Sequence, residues 1–201
     1  MKTDVITVSA KGNRLEAALQ QADKVAAYKD LSRKGALHLR LLTEEMMGMM
    51  RSITGEPEGI FWIEEQDGEY ELHLQVRTLL SIEKKEKLLA ASSSGRNESA
   101  KGLMGRIREF FDWGADDEIS AYGGPLALPD MYEHTSSPGL DWEWSMARYE
   151  SALYSRVKQG DAAAKDAWDE LEQSVVKHVA DDVKVSIRNG LAEMIILKKL
   201  A

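Results

Sequence analysis

Two short turn signals, each set between β-type segments, constrain this chain most. Asp67-Gly68 lies between residues 59–65 and 70–76, and Asn189-Gly190 lies between residues 183–188 and 191–197. Both dipeptides accept the positive φ angles that a two-residue hairpin turn demands. After the first turn, Tyr70, Leu72, Leu74 and Val76 alternate with Glu71, His73 and Gln75. Successive strand side chains point to opposite sides, so this hairpin belongs to a sheet with one covered face.

The preceding segments supply the cover. Residues 5–8 are β-branched and short, and predict a strand. Lys11-Gly12-Asn13 is a turn, with Asn13 placed to cap the next helix. That helix is predicted over 14–29, where Leu15, Ala18, Leu19, Ala22, Val25 and Ala26 recur at helical steps. Asp30-Leu31-Ser32 breaks it, and Ser32 caps a second helix to about residue 53. Leu39, Leu42, Met46, Met49, Met50 and Ile53 share one face of it, with Gly55 and Pro57 as the stop. Methionine adapts to what it touches, so the run Met46, Met47, Met49 and Met50 is either a soft core face or a surface that meets a ligand or partner.

The second half is less regular. Residues 79–91 predict a helix whose run Glu83-Lys84-Lys85-Glu86-Lys87 forms a solvated face. A small-residue loop at 92–97 leads into a helix over 98–111, with Leu103, Ile107, Phe110 and Phe111 on its apolar side. Residues 113–140 are too long for an ordinary loop and too aromatic for a free linker, which predicts a packed, lid-like insertion. Asp141 is expected to cap a helix through about 158. Gly160-Asp161 is expected to open another through about 180, giving a helical pair.

Composition limits the chemistry. The 201 residues include no cysteine, which removes disulfides, thiolate metal sites and a cysteine nucleophile, and fits a reducing compartment. The net charge of -8 disfavours nucleic acid. No run of about 18 apolar residues predicts a membrane span, and the first residues lack the apolar core of a signal peptide. A cytoplasmic protein is expected, without membrane or nucleic-acid partners.

The order of elements, with Glu44-Glu45 on the second helix, resembles the histidine-kinase-like ATPases and, among them, the anti-sigma-factor serine kinases of bacterial type. The resemblance is clearest over residues 3–76, weaker over 90–112 and loose beyond. It implies an α/β (α+β) two-layer sandwich: a single domain over 1–201, with a mixed sheet packed against helices and a nucleotide held between helices and lid. It implies that Glu45 is the carboxylate that activates water or a hydroxyl. The family's magnesium-binding Asn falls at Met49, and a thioether is a poor ligand for a cation that needs hard oxygens. Magnesium held in the family's manner is therefore not expected. The family's adenine-reading Asp-x-Gly-x-Gly is also absent after Val76, where Arg77-Thr78-Leu79-Leu80-Ser81 stands. Gly102-Leu103-Met104-Gly105 reads as a remnant of its late glycine-rich box.

The candidate anion site is the loop of Ser92, Ser93, Ser94, Gly95, Arg96 and Asn97, with Lys101, Gly102 and Gly105 beyond it. Free N–H groups at a helix start and the Arg96 guanidinium suit a phosphate-bearing ligand such as ATP. The same residues also read as a polar loop with an Asn cap. Glu44 and Glu45 read equally as surface carboxylates, one of them paired with Arg40 or Lys34. His38, His73, His134 and His178 show no close pairing, so no metal site is expected and each reads as an isolated surface or packing residue. Trp142, Met146 and Tyr149 fall on one face of the predicted helix. With Trp144 they serve either core packing or a protein partner.

Three functions follow as expectations. The first is a non-catalytic regulatory or binding protein that keeps a nucleotide- or anion-sized pocket between the Glu45 helix and residues 92–97. The second is an ATP-dependent serine kinase of anti-sigma type with a divergent site. The third is a scaffold for a protein partner or for self-association through Trp142 and Trp144.

Overall fold

A computed structural model describes residues 1–9, 12–54, 58–77, 142–188 and 191–200. In chain order these form β1 (Ile6–Ser9), α1 (Asn13–Tyr28), α2 (Arg33–Thr54), β2 (Glu58–Gln66), β3 (Glu69–Arg77), β4 (Trp142–Ser145), α3 (Met146–Lys158), α4 (Ala162–Glu172), α5 (Val175–Val179), β5 (Asp182–Arg188) and β6 (Leu191–Lys199). The strands make one sheet of six in the order β1-β2-β3-β6-β5-β4. The architecture is α+β, with the helices packed on one face of the sheet.

The mixed sheet expected from the family resemblance is not what forms, since every pairing among the described strands is antiparallel. The connections explain this. β2–β3 is a hairpin, and hairpin partners run in opposite directions. Between β1 and β2 the chain crosses two helices rather than one, which carries it out and back so that β2 reverses β1.

The Asp67-Gly68 turn takes the left-handed angles its sequence calls for, with φ 53° and 82°. It sets Gln66 opposite Glu69, and from there Glu64 opposite Glu71 and Trp62 opposite His73. At the other hairpin Arg188 pairs with Leu191, as a two-residue connection requires, although Asn189-Gly190 itself lies outside the described residues. The predicted helices at 79–91 and 98–111, the lid-like segment 113–140 and the Gly55 stop also lie outside them.

Helix starts follow local hydrogen-bonding chemistry, and three differ from expectation. Ser32 caps α2 as predicted, its Oγ accepting from the Gly35 N–H at 3.1 Å. Asn13, however, is the first residue of α1. The cap is Gly12 at φ 70°, without any side-chain bond, and its carbonyl accepts from Leu15 and Glu16. Residues 142–145 form strand β4 rather than the start of a helix, so Ser145 and not Asp141 caps α3, accepting from the Arg148 N–H. The reason is the alternation of Trp142-Glu143-Trp144-Ser145, which pairs with β5. The helix expected over 161–180 is split as well. Asp161 caps α4 through the Ala164 N–H at 3.1 Å, but Ser174 is extended and opens a separate turn, α5.

A continuous apolar core joins both halves of the chain. It takes Ala18, Ala22 and Val25 from α1, Leu39, Leu42 and the methionines from α2, Phe61, Leu72 and Leu74 from the first hairpin, and Leu171, Val185 and Ile196 from the C-terminal part. Met46, Met47, Met49 and Met50 are all buried in it, so this face of α2 is core. Thr43 shares the face, its hydroxyl donating to the Leu39 carbonyl at 2.9 Å, which satisfies a polar atom in an apolar layer.

Candidate functional site

Glu44 and Glu45 lie together midway along α2. Glu44 is exposed and Glu45 half-buried. Arg40 does not serve either of them, because its guanidinium pairs with Asp23 on α1. Met49, one turn beyond Glu45, is only 2% exposed and belongs to the core. Its thioether is packed in the apolar core. Ser92, Ser93, Ser94, Gly95, Arg96, Asn97, Lys101, Gly102 and Gly105 lie outside the described residues, so no geometry links them to Glu45. Trp144 is buried and packs on Tyr149, with ring centres 5.9 Å apart. It is core, not a partner anchor, which corrects the scaffold expectation at that residue.

A second cluster occupies the sheet face turned away from the helices. On β2 and β3, Phe61, Ile63, Leu72 and Leu74 enter the core, so by alternation Trp62, Glu64, Glu71, His73 and Gln75 point the other way. The cross-strand pair Trp62–His73 stacks face to face, with centres 4.7 Å apart and planes within 5°. Lys2 lies over the Trp62 ring at 4.9 Å. Both stacked residues are 7% exposed.

Carboxylates surround the imidazole. Nε2 of His73 lies 3.2 Å from Oε2 of Glu71, and Nδ1 lies 3.5 Å from Oε1 of Glu193 on β6. Ligand-type atoms of Glu64, Glu71 and His73 all fall within 4.8 Å of one another. The carboxylates are held in turn. Glu64 accepts from the Trp62 indole at 2.8 Å and from Lys2 at 2.9 Å. These bonds, Lys2 first, hold the Glu64 carboxyl below its ordinary pKa. Glu193 accepts from the Gln75 amide at 3.1 Å. Among the described residues, His73 Nδ1 is the buried side-chain polar atom left without a hydrogen bond.

His73 is thus a packing residue, as the sequence suggests, but not an isolated one. The signal for its neighbours was in the turn. A two-residue loop at Asp67-Gly68 fixes the pairing of Glu64 with Glu71 and of Trp62 with His73. The approach of Glu193 depends on how β6 docks on β3, which no local pattern carries.

A third ionic group, around Glu65, faces the helices. Glu65 is buried and pairs with Lys29 at the end of α1 and with the Gly68 N–H at 3.2 Å. The Lys29 ammonium, then the Gly68 N–H, hold its carboxyl below the ordinary range, and Glu65 raises Lys29 in return. Every member is matched, so the group ties α1 to the hairpin and offers no free chemistry.

No protein-family model matches this chain, and no curated protein matches it.

Proposed function

We propose that the chain is a non-catalytic regulatory or binding protein on an ATPase-like two-layer sandwich. It takes a phosphate-bearing ligand such as ATP between the Glu45 side of α2 and the loop at residues 92–97, without a magnesium ion held by α2. One observation carries the reading. Met49, at the place where the resembled kinases hold magnesium with an amide oxygen, is packed in the apolar core. Magnesium demands an octahedron of hard oxygens, and neither a thioether nor its apolar neighbours supply one. Without that ion the charge that develops on a transferring phosphoryl group has no counter-charge at this position.

The test is thermal unfolding of the full chain with ATP, in EDTA and in excess magnesium. The expected result is the same upward shift in both, unchanged in Glu45→Ala and lost in Arg96→Ala. Magnesium-dependent transfer of phosphate to a serine, abolished in Glu45→Ala, would instead establish the kinase. Absence of any shift with ATP would remove the nucleotide from the proposal.

A further inference from the structure

The cluster on the far side of the sheet has a chemistry that the nucleotide reading does not use. A neutral imidazole carries one ring proton. With the proton on Nε2, His73 donates to Glu71, and the bare Nδ1 lone pair faces the Glu193 carboxylate at 3.5 Å. With the proton on Nδ1, the bare Nε2 faces Glu71 at 3.2 Å. Either way one lone pair is set against a carboxylate in a site that is 7% exposed at His73. A cation at Nε2 removes the conflict. The Nδ1 proton then points to Glu193, and Nε2, Glu71 and Glu64 share the ion.

We propose that Glu64, Glu71 and His73 bind a divalent transition-metal ion of the zinc type, with Glu193 orienting the imidazole. The donor set of one imidazole nitrogen and two carboxylates suits zinc and its borderline neighbours and excludes ions that need thiolate. Bond lengths of about 2.0–2.2 Å place the donors of one ion roughly 3.0–3.5 Å apart. The His73–Glu71 separation of 3.2 Å already meets this. Glu64, whose side chain is 39% exposed, has a carboxylate oxygen within 4.8 Å of the other two donor atoms and would have to draw closer to join them. Charge agrees as well. Three carboxylates and the Lys2 ammonium leave two negative charges around the ring. Part of the supporting layer is present before the ion: the Trp62 indole holds Glu64, Gln75 holds Glu193, and Trp62 fixes the ring plane, while the Lys2 ammonium occupies the Glu64 carboxylate that the ion would take. A carboxylate on the second nitrogen of a ligating histidine is the usual device for setting its tautomer.

The experiment is calorimetric titration of the chelator-treated full chain with zinc chloride, repeated with cobalt chloride and read by visible absorption. One ion per chain is expected, with cobalt bands of a nitrogen–oxygen site. His73→Gln and Glu71→Gln should each weaken zinc at least tenfold. Glu193→Gln should weaken it by about 10–100-fold, the range typical of lost second-layer bonds. His178→Gln should leave it unchanged. Lys2→Met, which frees Glu64, should tighten it. Glu71 is half-exposed, so that variant tests the site even if His73→Gln does not fold. Absence of zinc binding to the intact chain would overturn the proposal. It would fall equally if zinc bound with the same affinity in Glu71→Gln. No arm uses ATP, so this result is independent of the nucleotide test.

Discussion

Gly59 sits where β2, β3 and α2 come close together. A Cβ there would lie 2.8 Å from the Gln75 carbonyl oxygen, 3.0 Å from Val76 and 3.1 Å from the Met50 sulfur. The first of these is backbone of the paired strand and cannot turn aside. Gly59→Ala is therefore expected to cost about 1–3 kcal/mol, the range for overpacking a filled core. It should appear as a lower urea midpoint at unchanged m-value. Gly48 is the control. It lies in exposed helix with nothing within 4 Å of a built Cβ, so Gly48→Ala should stabilise by roughly 0.5–1 kcal/mol. Sequence alone does not separate these glycines, because the difference is made by what packs on Gly59: the Gln75 carbonyl and Val76 of β3, and Met50 arriving from α2. The same limit applied to the far-face cluster. The two-residue turn made Glu64, Glu71, Trp62 and His73 neighbours on paper, while Glu193 needed the docked sheet.

The elements read most clearly from sequence are those whose period and punctuation agree. Both hairpins had a turn dipeptide, the first with an alternating strand after it, and α1 and α2 had apolar steps of three and four with a break between them. β4 was misread because Trp142, Met146 and Tyr149 fit a helical face, while Trp142-Glu143-Trp144-Ser145 also fits a strand. Pairing with β5 decides between the two periods, and the partner is some 40 residues away in the chain. The cap consequently moves to Ser145. Ser145→Ala should cost about 1 kcal/mol, the usual loss for a side-chain cap, measured by chemical denaturation. Asn13→Ala should cost clearly less, since Asn13 caps nothing. The lid and the phosphate loop rest on composition and on the family resemblance, and neither fixes where a segment packs.

For the molecule as a whole, titrating groups set a stability plateau between two limits. Burial, followed by the Lys198 and Lys34 charges, lowers His38. Its folded pKa lies below the unfolded one, so the unfolded chain binds more protons and stability falls as pH drops through about 6.5 and lower. Glu65 is lowered by Lys29 and then the Gly68 N–H, Glu64 by Lys2 and then the Trp62 indole, and Asp161 by the Ala164 N–H and then Arg156. Their contribution is complete above the unfolded carboxylate range of about 4 and is lost as pH falls through the folded values. Lys29 and Tyr70 are raised, Lys29 chiefly by its bond to Glu65 and Tyr70 by burial. Their share is complete below the unfolded values near 10 and is lost above them. Urea midpoints should therefore be flat from about pH 7 to 9.5 and fall on both sides, and Glu65→Gln should flatten the limb below pH 4.5 most. The margins of the sheet carry a different consequence. β1 and β4, four residues each, are its outermost strands, and the backbone of residues 1–3 continues along β2 past the end of β1, through Thr3 N–H to Ile63 and Glu65 N–H to Met1. Among the described residues, two copies meeting side by side find only these short margins to zip along, which gives crowding little means of drawing them into a shared ribbon.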